Sequence, residues 1–65
     1  MKPLSDTLIY QVPGDNDETI TIRVTAAEAI AQQRALVASV RPDFSYESDE
    51  QALEDFITVN WAWWE

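Results

Sequence analysis

With 65 residues, 46% of them hydrophobic and 11% aromatic, and with one Gly and three Pro, the chain has room for one domain and the composition of a folded one. Four basic against twelve acidic residues leave a formal charge of −8, which argues against direct nucleic-acid or anionic-membrane binding, because Lys2, Arg23, Arg34 and Arg41 are scattered one per segment. Cysteine is absent, so there is no disulfide framework and no thiolate metal site, and stability must come from the core or from association.

The opening Met1-Lys2-Pro3-Leu4-Ser5 has no apolar stretch of the secretory kind, and nowhere do 18 apolar residues follow one another. A cytoplasmic location and a complete small gene product are the expectations. Residues 7–12 are rich in β-branched and aromatic types and set Leu8, Tyr10 and Val12 on one face at period two, as a strand does. Residues 19–24 alternate without a fault, Ile20, Ile22 and Val24 against Thr19, Thr21 and Arg23, which is the pattern of a strand with one buried face. Between them Pro13-Gly14-Asp15-Asn16-Asp17-Glu18 is a cluster of turn formers, so a β-hairpin is predicted.

Thr25-Ala26-Ala27-Glu28 fits a capping box, in which the Thr hydroxyl accepts from the fourth residue's amide and the Glu carboxylate reaches back to the cap. The helix it opens runs over 26–40, with Ala26, Ala29, Ile30, Leu36, Val37 and Val40 on one arc facing the hairpin, and Pro42 enforces its end. Gln33 lies inside that arc and needs a hydrogen-bond partner, either in the interior or across an interface. In the connector over 41–47, Phe44 and Tyr46 are expected to fold back over the core. Ser48-Asp49-Glu50-Gln51 repeats the capping logic, and a second helix is predicted over 49–63. Its apolar residues, including Leu53, Phe56, Ile57, Val59, Trp61, Trp63 and Trp64, would cover an arc of about 200°, twice what packing on a small hairpin needs.

No nucleophile stands beside a base: there is no His and no Cys, and Ser5, Ser39, Ser45 and Ser48 have no activating neighbour in sequence. The acidic run 15–18 resembles the start of a calcium loop, but the sixth position is Ile20 and the twelfth Ala26, where Gly and Glu are required. With one Gly there is no phosphate-cradling loop either. The sequence therefore predicts no enzyme, no cofactor and no metal.

Charge is distributed unevenly, with a net of −1 over residues 1–41 and −7 over 42–65. Asp43, Glu47, Asp49, Glu50, Glu54 and Asp55 crowd into 13 residues around the start of the second helix. Acids there complement the helix dipole and keep a Trp-rich chain in solution. They also form a candidate partner-binding face, since carboxylates along a helix can imitate nucleic-acid phosphates and dock on a basic protein, as small inhibitors of phages and mobile elements do, some anti-CRISPR proteins among them.

Residues 1–65 thus read as a single small α+β domain of order ββαα. The leading functional expectation is a non-enzymatic protein-interaction module, homodimeric through Phe56, Ile57, Trp61, Trp63 and Trp64, with edge-to-edge hairpin pairing as the second seam. The alternatives are an acidic nucleic-acid mimic that inhibits a basic nucleic-acid-binding protein and, more remotely, a small metal protein or enzyme.

Overall fold

The computed structural model describes residues 4–65; Lys2, one of the four cations, lies with Met1 and Pro3 outside the described residues. The strands β1 (Thr7–Pro13) and β2 (Thr19–Thr25) are followed by the helices α1 (Ala26–Val40) and α2 (Asp49–Asn60), the α+β order expected, and a two-residue strand β3 (Trp63–Trp64) ends the chain. All three strands form one antiparallel sheet in the order β2-β1-β3.

In the hairpin Leu8 faces Val24, Tyr10 faces Ile22 and Val12 faces Ile20, so the two alternating patterns meet on one side of the sheet. The turn between the strands is a short 3-10 segment over Asp15–Asp17, closed by Gly14 N donating to Glu18 O at 2.7 Å. Asn16 and Asp17 take the left-handed backbone (φ 57° and 64°) that short polar side chains tolerate best after glycine. The acidic run is therefore a hairpin turn held by its own backbone.

Both side-chain caps form, the first as a complete capping box. Thr25 Oγ1 accepts from Glu28 N at 3.1 Å while Thr25 N donates to Glu28 Oε1 at 2.9 Å. Ser48 Oγ accepts from Gln51 N at 3.2 Å, and the Gln51 side chain reaches one residue further back, to Glu47 N. The Thr25 backbone N–H holds the Glu28 carboxyl below the usual carboxylate range.

The core lies between the inner face of the sheet and the two helices, from Leu8, Tyr10 and Val24 to Ala26, Ala29, Ile30, Ala52, Leu53 and Phe56. Tyr10 and Phe56 meet edge to face with ring centroids 5.4 Å apart, joining sheet to α2. Alanines at the contacts let the helices approach closely, which suits a core this small. The last two turns of α1 outrun that core. Leu36 and Val40 share the stripe of Ala29 and Gln33, yet they are 53% and 70% exposed, because the layer that covers the first half of α1 ends before them.

Buried Gln33 donates through Nε2 to the hydroxyl of buried Tyr46 at 3.0 Å, so of the two partners its position allowed it has the interior one. That bond fastens the α1–α2 connector to α1. Phe44, expected to fold inward, stays exposed and stacks edge to face on Tyr46 at 5.2 Å, with the Arg41 guanidinium 6.0 Å from its centroid.

Tyr46→Phe strands the Gln33 amide in the core and is expected to cost about 1–3 kcal/mol, most of which Gln33→Leu/Tyr46→Phe recovers; urea denaturation of these two variants and of Gln33→Leu reads the cycle. The Glu28 carboxyl, lowered in the folded chain, adds stability above the ordinary carboxylate range that is lost as pH falls through the lowered value. Glu28→Ala should flatten that acid limb in thermal melts recorded across pH.

Candidate functional site

The C-terminal segment departs most from the sequence expectation. No Gly or Pro interrupts residues 49–63, and a helix to Trp63 was predicted, but α2 stops at Asn60. Trp61 adopts the left-handed conformation (φ 55°, ψ 38°), and Ala62 N donates to Ile57 O at 3.0 Å, the six-to-one bond of a Schellman ending. The chain then turns back along β1, where Trp64 faces Leu8, Trp63 faces Ile9, and Glu65 N donates to Thr7 O at 3.0 Å. Pairing with the open edge of β1 satisfies backbone groups on both strands, which a frayed last helical turn would leave to water.

The 200° apolar arc consequently does not exist as one helical surface. Of the five residues expected to form a self-association seam, Phe56 is buried in the chain's own core, and Ile57 and Trp64 pack half-buried against it. Trp61 and Trp63 remain outside, 86% and 45% exposed. Trp61 combines two costs: the left-handed region disfavours a bulky residue by about 1–2 kcal/mol, and the indole gains nothing from burial in return.

Trp63 lies on the outer face of the sheet, away from the helices. In register across the three strands stand Arg23, Ile9 and Trp63, and Ile9 is buried between its two neighbours, apart from the main core. Arg23 Nε donates to Glu65 Oε2 at 2.8 Å, so an ion pair between the outer strands passes over β1; both side chains are largely exposed, and such a pair contributes about 0–1 kcal/mol. Ile9, Arg23 and Glu65 were not singled out in the sequence. Their alternation puts Ile9 and Arg23 outward, but only the third strand brings Glu65 and Trp63 onto the same face.

The six carboxylates of the candidate acidic face are all exposed. Asp49 is engaged, its Oδ1 accepting from Arg34 Nη2 at 2.8 Å and from Nε at 3.2 Å, which ties the start of α2 to α1. Glu50 and Glu54 stand one turn apart on α2. Asp55 lies about 100° around the helix from Glu54, and Asp43 and Glu47 sit in the connector. The acids therefore wrap the start of α2 and do not form a single straight row.

Two shallow hollows accompany these surfaces. One, of about 250 Å³, is lined by Ser5, Asp6, Thr7, Trp64 and Glu65. The other, of about 190 Å³, lies between α1 and the connector, beside Arg34, Val37, Phe44 and Tyr46. Among the described residues no group of three or more acidic side chains is placed to hold a metal ion, and no helix is long and apolar enough to cross a membrane. Compared with protein-family models, curated proteins and solved structures, the chain matches none.

Trp61→Gly should relieve the left-handed strain and raise stability by about 1 kcal/mol in urea denaturation, because glycine is the residue this helix ending favours. A loss of stability would show instead that the exposed indole supports the fold.

Proposed function

We propose that this chain is a small, non-enzymatic, cytoplasmic protein-interaction module that works as a homodimer and offers a partner protein its C-terminal Trp and carboxylate surface. The observation that carries the reading is Trp61, a large aromatic side chain held almost wholly in water by a backbone conformation that disfavours it. Neither feature helps the isolated chain, and strained, exposed aromatic positions are the kind that anchor protein contacts. Trp63 supplies a second indole, and the net −7 of residues 42–65 gives that half a field that steers basic proteins toward it.

A second reading makes the partner a nucleic-acid-binding protein and the chain its inhibitor by phosphate mimicry. It is favoured by Glu47, Glu50, Glu54 and Asp55, which are exposed and take part in no ion pair among the described residues. Under this reading carboxylates, not indoles, hold the partner.

The two readings separate in a pull-down from host lysate with mass spectrometry, comparing the native chain with Trp61→Gly and with Glu50→Lys/Glu54→Lys. An interaction module loses its partner on Trp61→Gly, by about tenfold or more for an anchoring Trp. A mimic keeps its partner in Trp61→Gly and loses it on charge reversal, and the native complex dissociates as salt rises through the screening range. Retention of the same partner by both folded variants overturns both readings.

A further inference from the structure

We infer that a second copy of this chain pairs along the free edge of β2, joining two three-stranded sheets into one antiparallel sheet of order β3-β1-β2-β2-β1-β3; the inference rests on the homodimeric reading above and moves its seam away from the Trp residues. Among the described residues β2 has a strand on one side only, whereas β1 is paired with β2 along its length and with β3 at Leu8 and Ile9. The bonds Gly14 N to Glu18 O and Ala26 N to Asp6 O fix which groups point where. They make Val12–Ile20, Tyr10–Ile22 and Leu8–Val24 the hydrogen-bonded pairs of the hairpin, so the N–H and C=O of Thr21 and Arg23 point away from β1.

An edge of this kind invites pairing unless something blunts it, and β2 carries no Pro, no bulge and no inward-pointing charge over its seven residues. Its sequence is also nearly palindromic. Read outward from Ile22, Thr-Ile-Thr-Ile-Arg-Val-Thr sets Thr21 against Arg23, Ile20 against Val24 and Thr19 against Thr25. A twofold axis at Ile22 therefore places Ile22 on its own equivalent, Ile20 on Val24 of the second copy, and Thr21 where it exchanges backbone bonds with Arg23 of the second copy. A self-complementary strand is what an isologous contact requires.

Charge singles out the same place. Two chains of −8 repel, and β2 is a seven-residue stretch without a carboxylate and with a cation near its middle. In the palindromic register Glu18 comes opposite Ala26 of the second copy, so no acid faces an acid across the seam.

The helix layer also has an open flank. Arg34, Val37 and Ala38 turn toward the connector and α2, as the Arg34–Asp49 pair and the hollow beside Phe44 require. Leu36 lies about 160° around α1 from Arg34, on the flank directed away from α2. It is half exposed, as is Ile20 on the inner face of β2, and Val40 is more so. A second copy joined at β2 sets its own α1 beside this flank and covers these side chains. The single chain is correspondingly open: its extents are 38 × 27 × 15 Å, with a radius of gyration of 12.5 Å against about 11 Å for a compact chain of this length.

The test uses the full chain in light scattering at low and high salt, with amide hydrogen exchange by NMR, alongside Thr21→Pro, Leu36→Asp/Val40→Asp and Trp63→Ala. The expected result is twice the 7.4 kDa chain mass, strengthened by salt, with slow exchange at the Thr21 and Arg23 amides. Leu36→Asp/Val40→Asp, which changes exposed residues only, should weaken the dimer about tenfold or more while circular dichroism stays unchanged. Thr21→Pro removes an edge N–H not bonded to β1 and should give monomer; if it fails to fold, the amide exchange of the native chain decides. Native chain of single mass at all salts overturns the homodimer and the seam together. A dimer with fast-exchanging Thr21 and Arg23 amides, insensitive to Leu36→Asp/Val40→Asp and dissociated by Trp63→Ala, overturns the β2 seam and leaves the homodimer standing.

Discussion

The fold depends on β1 being gripped from both sides. Its inner face gives the core Leu8, among the described residues the one large side chain without any exposure, and its edges are taken by β2 along the whole strand and by β3 at Leu8 and Ile9. In so short a chain the apolar area that can be buried barely exceeds the entropy of ordering the backbone, so each group that secures the central strand carries weight. The helices add thickness above it. α1 is tied to α2 by Arg34–Asp49 and to the connector by Gln33–Tyr46, while Tyr10–Phe56 joins α2 to the sheet. Polar contacts here place the helices over the sheet and against each other.

Function, on this architecture, falls to the surfaces left unspent. β1 is paired with β2 along its length and with β3 at Leu8 and Ile9, the inner face is roofed over Leu8, Tyr10 and Val24, and the outer face carries Ile9 shielded by Arg23 and Trp63. What remains is β2 with the flank of α1 above it, the C-terminal turn with Trp61 and the carboxylates around the start of α2. A second copy on the first leaves the second clear for a different protein. The module would then present two copies of its Trp61 turn, and a partner that engages both gains from the fixed distance between them without any new contact type.

Most of the fold is legible in the sequence, because the residues concerned carry strong local signals. Period-two alternation over 19–24, turn formers over 13–18 and the Thr25–Glu28 box each have one structural solution, and each takes it. Gln33 called for a partner in the interior or across an interface, and Tyr46 provides it within the chain. The failures are at chain segments whose conformation is decided by distant pairing. Nothing local stops a helix at Asn60; β1, fifty residues earlier, competes for the last residues and wins, forcing Trp61 into a backbone region where propensity places glycine. For the same reason the Trp cluster, read as one helical face, is divided among solvent, the outer sheet face and the core. Leu36 and Val40 fit a buried stripe by periodicity, but periodicity cannot report where the opposite layer ends.

The antiparallel return of β3 has a consequence for how the chain comes into being. Leu8 and Ile9 pair with Trp64 and Trp63, so β1 is completed by residues made some fifty-five positions later. During synthesis β1 can meet β2 soon after both emerge, but its other edge and the Ile9 side chain stay open until Trp63 and Trp64 follow. Until then a hairpin of β1 and β2 has two bare edges and, as an isolated pair of strands, is marginally stable at best. Trp63 and Trp64 cover β1 at Leu8 and Ile9 and leave the outer edge of β2 as it was, so the central strand is the last part of the sheet to be completed.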